Sequence, residues 1–453
     1  MLSEIENRNE KEFVLIHGAI YHDAVIFRIK HLILPGLFFL HSCDPGDGGG
    51  EDANKDDAPA QSELGEAHGQ DDGLARDAPE GLKQYRKAAE QGDAEAQFKL
   101  GQIYFHGDGV AKDATEGVKW FRMAAEQGKP SAQYNLGICC LRGYGVPKNL
   151  TEAVRWFRKA AEKGNATAQG NLGVCYLRGD GVAKDATEAV KWFRKAAEQG
   201  DAEAQLKLGV RYLLGDGVTK DTTEGVRWYR RAADQGKATA QYNLGLCYSK
   251  GYGVAKDLTE TVKWFGKAAG QGNADAQYDL GVLYLQGRGV AKDAAEGVKW
   301  FRKAADQGNA EAQHNLGYSY SKGDGVTKDL TEAVKWFRKA ADQGNAEGQY
   351  NLGVRYLQGE GVAKDATEGV KWFRMAAEQG NSEGQYNLGV CYAKGYGVAK
   401  DNVTAYKWIN LAAGSGSKSA KSAKELRGLL EKKMTAEKIA EARLLSRGWK
   451  PRP

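Results

Sequence analysis

The chain has 453 residues, 42% of them hydrophobic, with 59 glycines but only 8 prolines. That apolar and aromatic content excludes a disordered chain, and glycine without proline points to glycine at fixed, recurring positions. Net charge is +5, from 64 basic and 59 acidic residues, and no block of like charges forms a nucleic-acid-binding tail, so no nucleic-acid partner is implied.

Residues 1–27 form a leader that carries Glu4, Glu6, Glu10, Glu12 and Asp23. In residues 28–43, Arg28, Lys30 and His31 precede a stretch, Leu32 to Leu40, that is apolar apart from Pro35 and Gly36. The stretch is too short to cross a bilayer, which takes about 20 residues, but it has the length of a signal-peptide core. The string L-H-S-C ending at Cys43 resembles a bacterial lipoprotein cleavage box. That resemblance implies lipidation of Cys43, a lipid anchor to a membrane, and a place in the periplasm or cell envelope. The other reading is a short buried apolar segment in the leader of a cytoplasmic protein. Residues 44–56 are a Gly- and Asp-rich linker.

From there the chain repeats itself. Gln97, Gln133, Gln169, Gln205, Gln241, Gln277, Gln313, Gln349 and Gln385 recur every 36 residues without insertion. Nine full units occupy residues 93–416. A degenerate first unit, 57–92, keeps Ala60, Gln61, Leu64, Gly65, Gly73, Leu74 and Asp77 in register, then Tyr85, Ala88 and Ala89, with Gln84 at the Trp position. Self-similarity of this kind predicts units that stack on their neighbours.

Each unit reads as two helices. In the third, Asn165 is an N-cap candidate, and Gln169, Leu172, Gly173 and Tyr176 share one face. Gly179 and Gly181 break that helix, and Asp185 with Glu188 predicts a capping-box start for the next, which carries Val190, Trp192, Phe193, Ala196 and Ala197. The glycine four residues after each anchor Gln predicts close helix–helix approach, and Trp against Ala and Gly predicts interlocking layers. After residue 416 the period fails, and 417–453 predicts two capping helices. One runs through Leu426, Leu429 and Leu430; the other starts at Thr435 and buries Ile439, Ala442, Leu445 and Trp449.

No chemistry is legible. The loop G-D-G-V-A-K-D at Gly179–Asp185 follows a helix and recurs in every unit, which makes it a structural turn rather than a phosphate loop. His106 and His314 have no clustered partners, and no C-x-x-C or H-x-x-x-H occurs, so the reading is no enzyme, no cofactor and no metal. Cys139, Cys175, Cys247 and Cys391 share a slot with Leu283 and Ile103 and read as small apolar fillers. Lys119, Arg155, Lys191 and their equivalents form a basic ladder with Glu three residues earlier, which reads as a solvated face.

The strings A-Q-G-N-L-G-V-C-Y (Ala168–Tyr176) and G-Q-Y-N-L-G-V-C-Y (Gly384–Tyr392) resemble the first helix of a tetratricopeptide repeat. The 36-residue period and the G-x-G-V-x-K-D loop resemble the Sel-one-like repeat family more closely. The segment Met434–Pro451 is similar to the closing helix of bacterial members. This resemblance implies an all-α, right-handed α/α superhelical solenoid of ten helix-turn-helix repeats, a monomer that scaffolds a protein or peptide partner in a concave groove. By analogy with tetratricopeptide arrays, Tyr134, Tyr242, Tyr278, Tyr350 and Tyr386 with Arg142 and Arg178 are candidate groove residues. The competing reading packs the Tyr row between repeats. An alternative function is an envelope hydrolase or penicillin-binding protein like the cysteine-rich relatives, whose disulfides need a second Cys in the other helix of the same unit, which no unit here supplies.

Overall fold

The computed structural model describes residues 78–451. Residues 60–77 of the degenerate unit and Cys43 with its surrounding segment lie outside them. Among the described residues there are twenty-one α-helices and no strand. They fall into two compact units, the first holding residues up to Ala240 together with Gly251–Ala255 and the second holding Gln241–Lys250 and everything from Lys256.

The helices reaching the first unit are α1 (Ala78–Glu90), α2 (Ala94–His106), α3 (Ala114–Glu126), α4 (Pro130–Arg142), α5 (Leu150–Glu162), α6 (Ala166–Arg178), α7 (Ala186–Glu198), α8 (Ala202–Leu214) and α9 (Thr222–Asp234). After α10 (Ala238–Lys250) the second unit continues with α11 (Leu258–Gly270), α12 (Ala274–Gln286), α13 (Ala294–Asp306), α14 (Ala310–Lys322), α15 (Leu330–Asp342) and α16 (Ala346–Gln358). It ends with α17 (Ala366–Glu378), α18 (Ser382–Lys394), α19 (Asn402–Gly414), α20 (Ala420–Glu431) and α21 (Ala436–Arg447). Even-numbered helices up to α18 are the first helices of their repeats, and the odd-numbered helices that follow them are the second.

Capping sets the boundaries. Asn165 Oδ1 accepts the Ala168 N–H at 2.7 Å at the start of α6, and Asp185 Oδ1 accepts the Glu188 N–H at 2.9 Å at the start of α7. The expected capping box at α7 is only half formed, because the Glu188 carboxylate turns outward to Lys191 at 2.9 Å instead. At the end of α6 the Gly179 N–H reaches Cys175 O at 2.8 Å with Gly179 in the left-handed region. Gly181, also left-handed at φ +71°, lies against the start of α5 in the preceding repeat, where a Cβ would stand 2.2 Å from Leu150 O. The glycine loop is therefore a docking turn between repeats.

Packing within a repeat follows from one missing side chain. A Cβ on Gly173 would sit 2.7 Å from Phe193 Cδ1, and Gly281 and Gly353 stand the same way against Phe301 and Phe373. Packing between repeats is carried by Trp. Trp192 joins the core around Phe157 of the preceding repeat, Trp228 that around Phe193, and Trp336 that around Phe301. Most of the Trp row is buried, with Trp156 at 1% exposure, while Trp120 and Trp300 are half-buried.

The anchor glutamines are buried and doubly bonded. Gln169 Nε2 donates to Ala161 O of the preceding repeat at 3.0 Å, and Gln169 Oε1 accepts from Gln199 Nε2, at the end of its own repeat's second helix, at 2.7 Å. The same relay runs through Gln97, Gln205, Gln277, Gln313 and Gln349. It breaks once. Lys163 replaces the second glutamine, its Nζ donates to Gly128 O at 2.6 Å, and Gln133 Oε1 is left buried without a hydrogen bond.

At the C-terminus, Ala423 and Leu430 of α20 and Ala442 and Ser446 of α21 are buried, with Ile439 and Trp449 half-buried. Leu429 and Leu445 are exposed, against expectation, because α21 turns Ala442 and Ser446 inward and leaves Leu445 on its outer side.

Lys163→Gln should restore the missing donor to Gln133 while keeping the bond to Gly128 O, as Gln127 does for both Gln97 and Gly92 O. The expected gain is about 1 kcal/mol, the usual worth of one satisfied buried bond. Denaturant titration reads it, and unchanged stability would mean that water already serves Gln133 Oε1.

Candidate functional site

The Tyr row is the first candidate the structure tests geometrically. Tyr134, Tyr242 and Tyr278 are buried, at 8%, 1% and 3% exposure, and Tyr350 and Tyr386 are half-buried. Each of the first three rings packs on the Phe of its own repeat, Tyr242 on Phe265 at 5.3 Å and Tyr278 on Phe301 at 5.9 Å between centroids. The hydroxyls reach across to the next repeat: Tyr242 Oη donates to Asp279 Oδ2 at 2.8 Å. Burial and the Glu383 charge push the Tyr350 phenol up to about 12. Tyr134, Tyr242 and Tyr278 thus belong to inter-repeat packing rather than to a groove surface, while Tyr350 and Tyr386 keep part of their surface exposed.

Arg142 and Arg178 stand where expected, exposed in the last turns of α4 and α6. In the second unit Lys322, Gln358 and Lys394 are exposed at the same register, and Gln286 is half-buried there. Two residues further on, in the loops, Tyr144 and Tyr396 are 46% exposed where other repeats carry Asp180 or Asp324. Sequence reasoning passed over these two, although an aromatic, also present as Tyr252, in a slot that is charged in the other repeats was a readable signal. Beside the strip, the amides of Asn171 and Asn351 are half-buried, and Asn351 Nδ2 lies 3.0 Å from His314 Nε2. Arg211 and Arg355 take the Cys slot in their repeats, and their guanidinium groups pair with Asp216 and Glu360.

The second helices present a different surface. Lys191, Lys299, Lys335 and Lys371 each pair with the Glu three residues earlier at 2.8–2.9 Å. A second cation covers the Trp ring, as Lys195 does at 4.3 Å and Lys339 at 3.9 Å from the centroid. Cation and carboxylate are thus mutually satisfied along this face.

Among the described residues Cys139, Cys140, Cys175, Cys247 and Cys391 are free and buried. Burial pushes the thiols of Cys139, Cys175, Cys247 and Cys391 up to about 12 and, with the Glu152 charge, that of Cys140 to about 11. Among the same residues no group of three His, Cys, Asp or Glu side chains could hold a metal ion, and no helix is long and apolar enough to cross a membrane.

The profile described as Sel1 repeat matches ten consecutive segments, from residues 58–93 to 382–417. The chain belongs to the Sel1 repeat family. It is similar to a protective antigen present in uropathogenic Escherichia coli strains and displaying an SLR fold, at 37% identity over 86% of this chain and 91% of that one, with a TM-score of 0.59. A Sel1 repeat protein from Oxalobacter formigenes is also 37% identical, over 66% of this chain and 86% of its own, with a TM-score of 0.54. No curated protein matches the chain. The Sel1 repeat solenoid typically mediates protein–protein interaction, on a scaffold that is generally non-catalytic.

Tyr242→Ala and Tyr278→Ala should each destabilise by about 3–5 kcal/mol, as large buried aromatics do on truncation. An unchanged melting curve would return the Tyr row to the surface. The thiols give a second test. Their folded pKa values lie above the unfolded ones, so the folded state holds their protons, and this stabilisation is complete below about pH 8.5 and lost as pH rises toward 12. In the Cys43→Ser chain at pH 8, iodoacetamide should leave all five thiols unmodified until denaturant is added; rapid labelling of Cys175 in the folded chain would contradict its burial.

Proposed function

We propose that the chain is a scaffold that binds a protein or peptide segment along the exposed strip of its first helices, without chemistry of its own. The observation that carries this reading is where the repeats differ from one another. The second-helix Trp and the paired alanines recur in every full unit, although the buried slot that holds Cys139, Arg211, Leu283 and Ser319 varies, and most units keep the exposed Glu–cation pair. The last turn of the first helix, by contrast, runs through exposed His106, Arg142, Arg178, Lys250, Lys322, Gln358 and Lys394 and half-buried Leu214 and Gln286. Variation at these surface positions supports recognition there, since neither packing nor solubility asks for it. Within each compact unit the packed repeats present their part of the strip preorganised, which lowers the cost of binding.

A photo-crosslinker at positions 142, 178, 322 and 394 should trap the partner, while the same group at 299, 335 and 371 should not. Equal trapping from both faces would remove the assignment. We also propose that Cys43 anchors the chain in the cell envelope, supported by the L-H-S-C string. Cys43→Ser should then shift the protein from the membrane to the soluble fraction, and an unaltered distribution would dispose of the anchor.

A further inference from the structure

Within residues 417–453 there are eleven Lys and Arg against four Glu and no Asp, an excess larger than the +5 of the whole chain. Lys421, Lys424, Lys432, Lys433, Arg447 and Lys450 are exposed, and none of them takes part in an ion pair. The cap's ion pair is Arg443 with Glu431 at 3.0 Å. This is unlike the second-helix ladder, where Lys119, Lys191, Arg227, Lys263, Lys299, Lys335 and Lys371 each pair with the Glu three residues earlier.

The same cap departs from the polar outer face that closes a repeat array. Leu444 is 72% exposed and Leu445 44% exposed, side by side on α21. They line a cleft of 430 Å³ with Trp408, Trp449, Lys407 and Lys450, and Glu378 on its rim. Trp449 meets Trp408 edge-on at 6.0 Å. Buried Ala442 and Ser446 hold α21 to the body of the unit, so these leucines face outward from a fixed helix.

We propose that the α20–α21 cap docks on an anionic lipid surface, with the free Lys and Arg facing the headgroups and Leu444, Leu445 and the Trp449 edge entering the interface. A bilayer offers anionic charge over an apolar interior, and both features of the cap are used there. A nucleic acid would take the charge and leave two leucines in water. The surface lies on the membrane and does not cross it.

The test uses the full chain carrying Cys43→Ser, so that no acyl group contributes. It should sediment with vesicles of phosphatidylglycerol and phosphatidylcholine, not with phosphatidylcholine alone, and release as salt rises. Lys432→Glu with Lys433→Glu, and separately Leu444→Ser with Leu445→Ser, should each weaken vesicle binding about tenfold or more. Circular dichroism melts should stay unchanged, because all four positions except Leu445 are fully on the surface and Leu445 is nearly half exposed. Equal binding to neutral vesicles, wild-type binding by both variants, or preference for duplex DNA over anionic vesicles would overturn the proposal.

Discussion

A buried glutamine side chain has one carbonyl oxygen and one amide, and in this array both ends are spoken for by different helices. The amide takes a backbone carbonyl of the preceding repeat, and the oxygen takes the glutamine that closes the second helix of its own repeat. Buried polar groups are costly unless bonded, so the register between repeats is fixed to within a hydrogen-bond length at every step. Hydrophobic contact alone would tolerate a slide of one repeat on the next; the glutamine relay does not. An insertion anywhere between Gln169 and Gln199 would part the pair, a physical reason for a period that holds at 36 from Gln97 to Gln385.

Around that pin the packing is a division of labour. Gly173 lets the Phe193 ring lie on the backbone of α6, which brings the two helices of one repeat together. Trp then reaches back into the preceding repeat, where the paired alanines make room. Because each repeat touches its neighbours only, stability adds along the chain as local terms plus interfaces. That leaves the exposed residues in the last turn of the first helix with little part in packing, and they change from repeat to repeat.

Much of this was legible in the sequence, since a 36-residue period repeated nine times averages out noise. Helices, caps, the close approach at glycine and the burial of Trp followed from spacing. The Tyr row did not. Tyr134 and Tyr242 sit next to the anchor Gln, and a residue adjacent to a buried one on a helix is turned by 100°, which by periodicity alone argues exposure. What buries them is the next repeat's first helix, a contact that periodicity within one helix cannot show. Leu445 failed in the opposite sense: its apolar character argued burial, while Ala442 and Ser446 were the residues small enough to dock. The double bonding of the glutamines was equally hidden, because a polar residue in a repeat reads as surface or function until its partners are seen.

The overall charge conceals a separation that the structure makes visible. Along the second helices most ladder cations are matched locally, as Lys299 is by Glu296 three residues back, while a second Lys such as Lys303 lies over the Trp ring. The repeats at 93–416 hold 44 Lys and Arg against 37 Asp and Glu, a surplus spread over the whole array, whereas residues 417–453 concentrate eleven against four in one short segment. Charge that is locally paired is screened and steers little; charge left unpaired at one end acts at a distance of about a Debye length. A chain whose composition reads as balanced thus has one end able to attract an anionic surface, while the variable strip of its first helices keeps mixed polarity suited to a protein. The two surfaces are distinct in chemistry, and substitutions in one leave the packing of the other untouched.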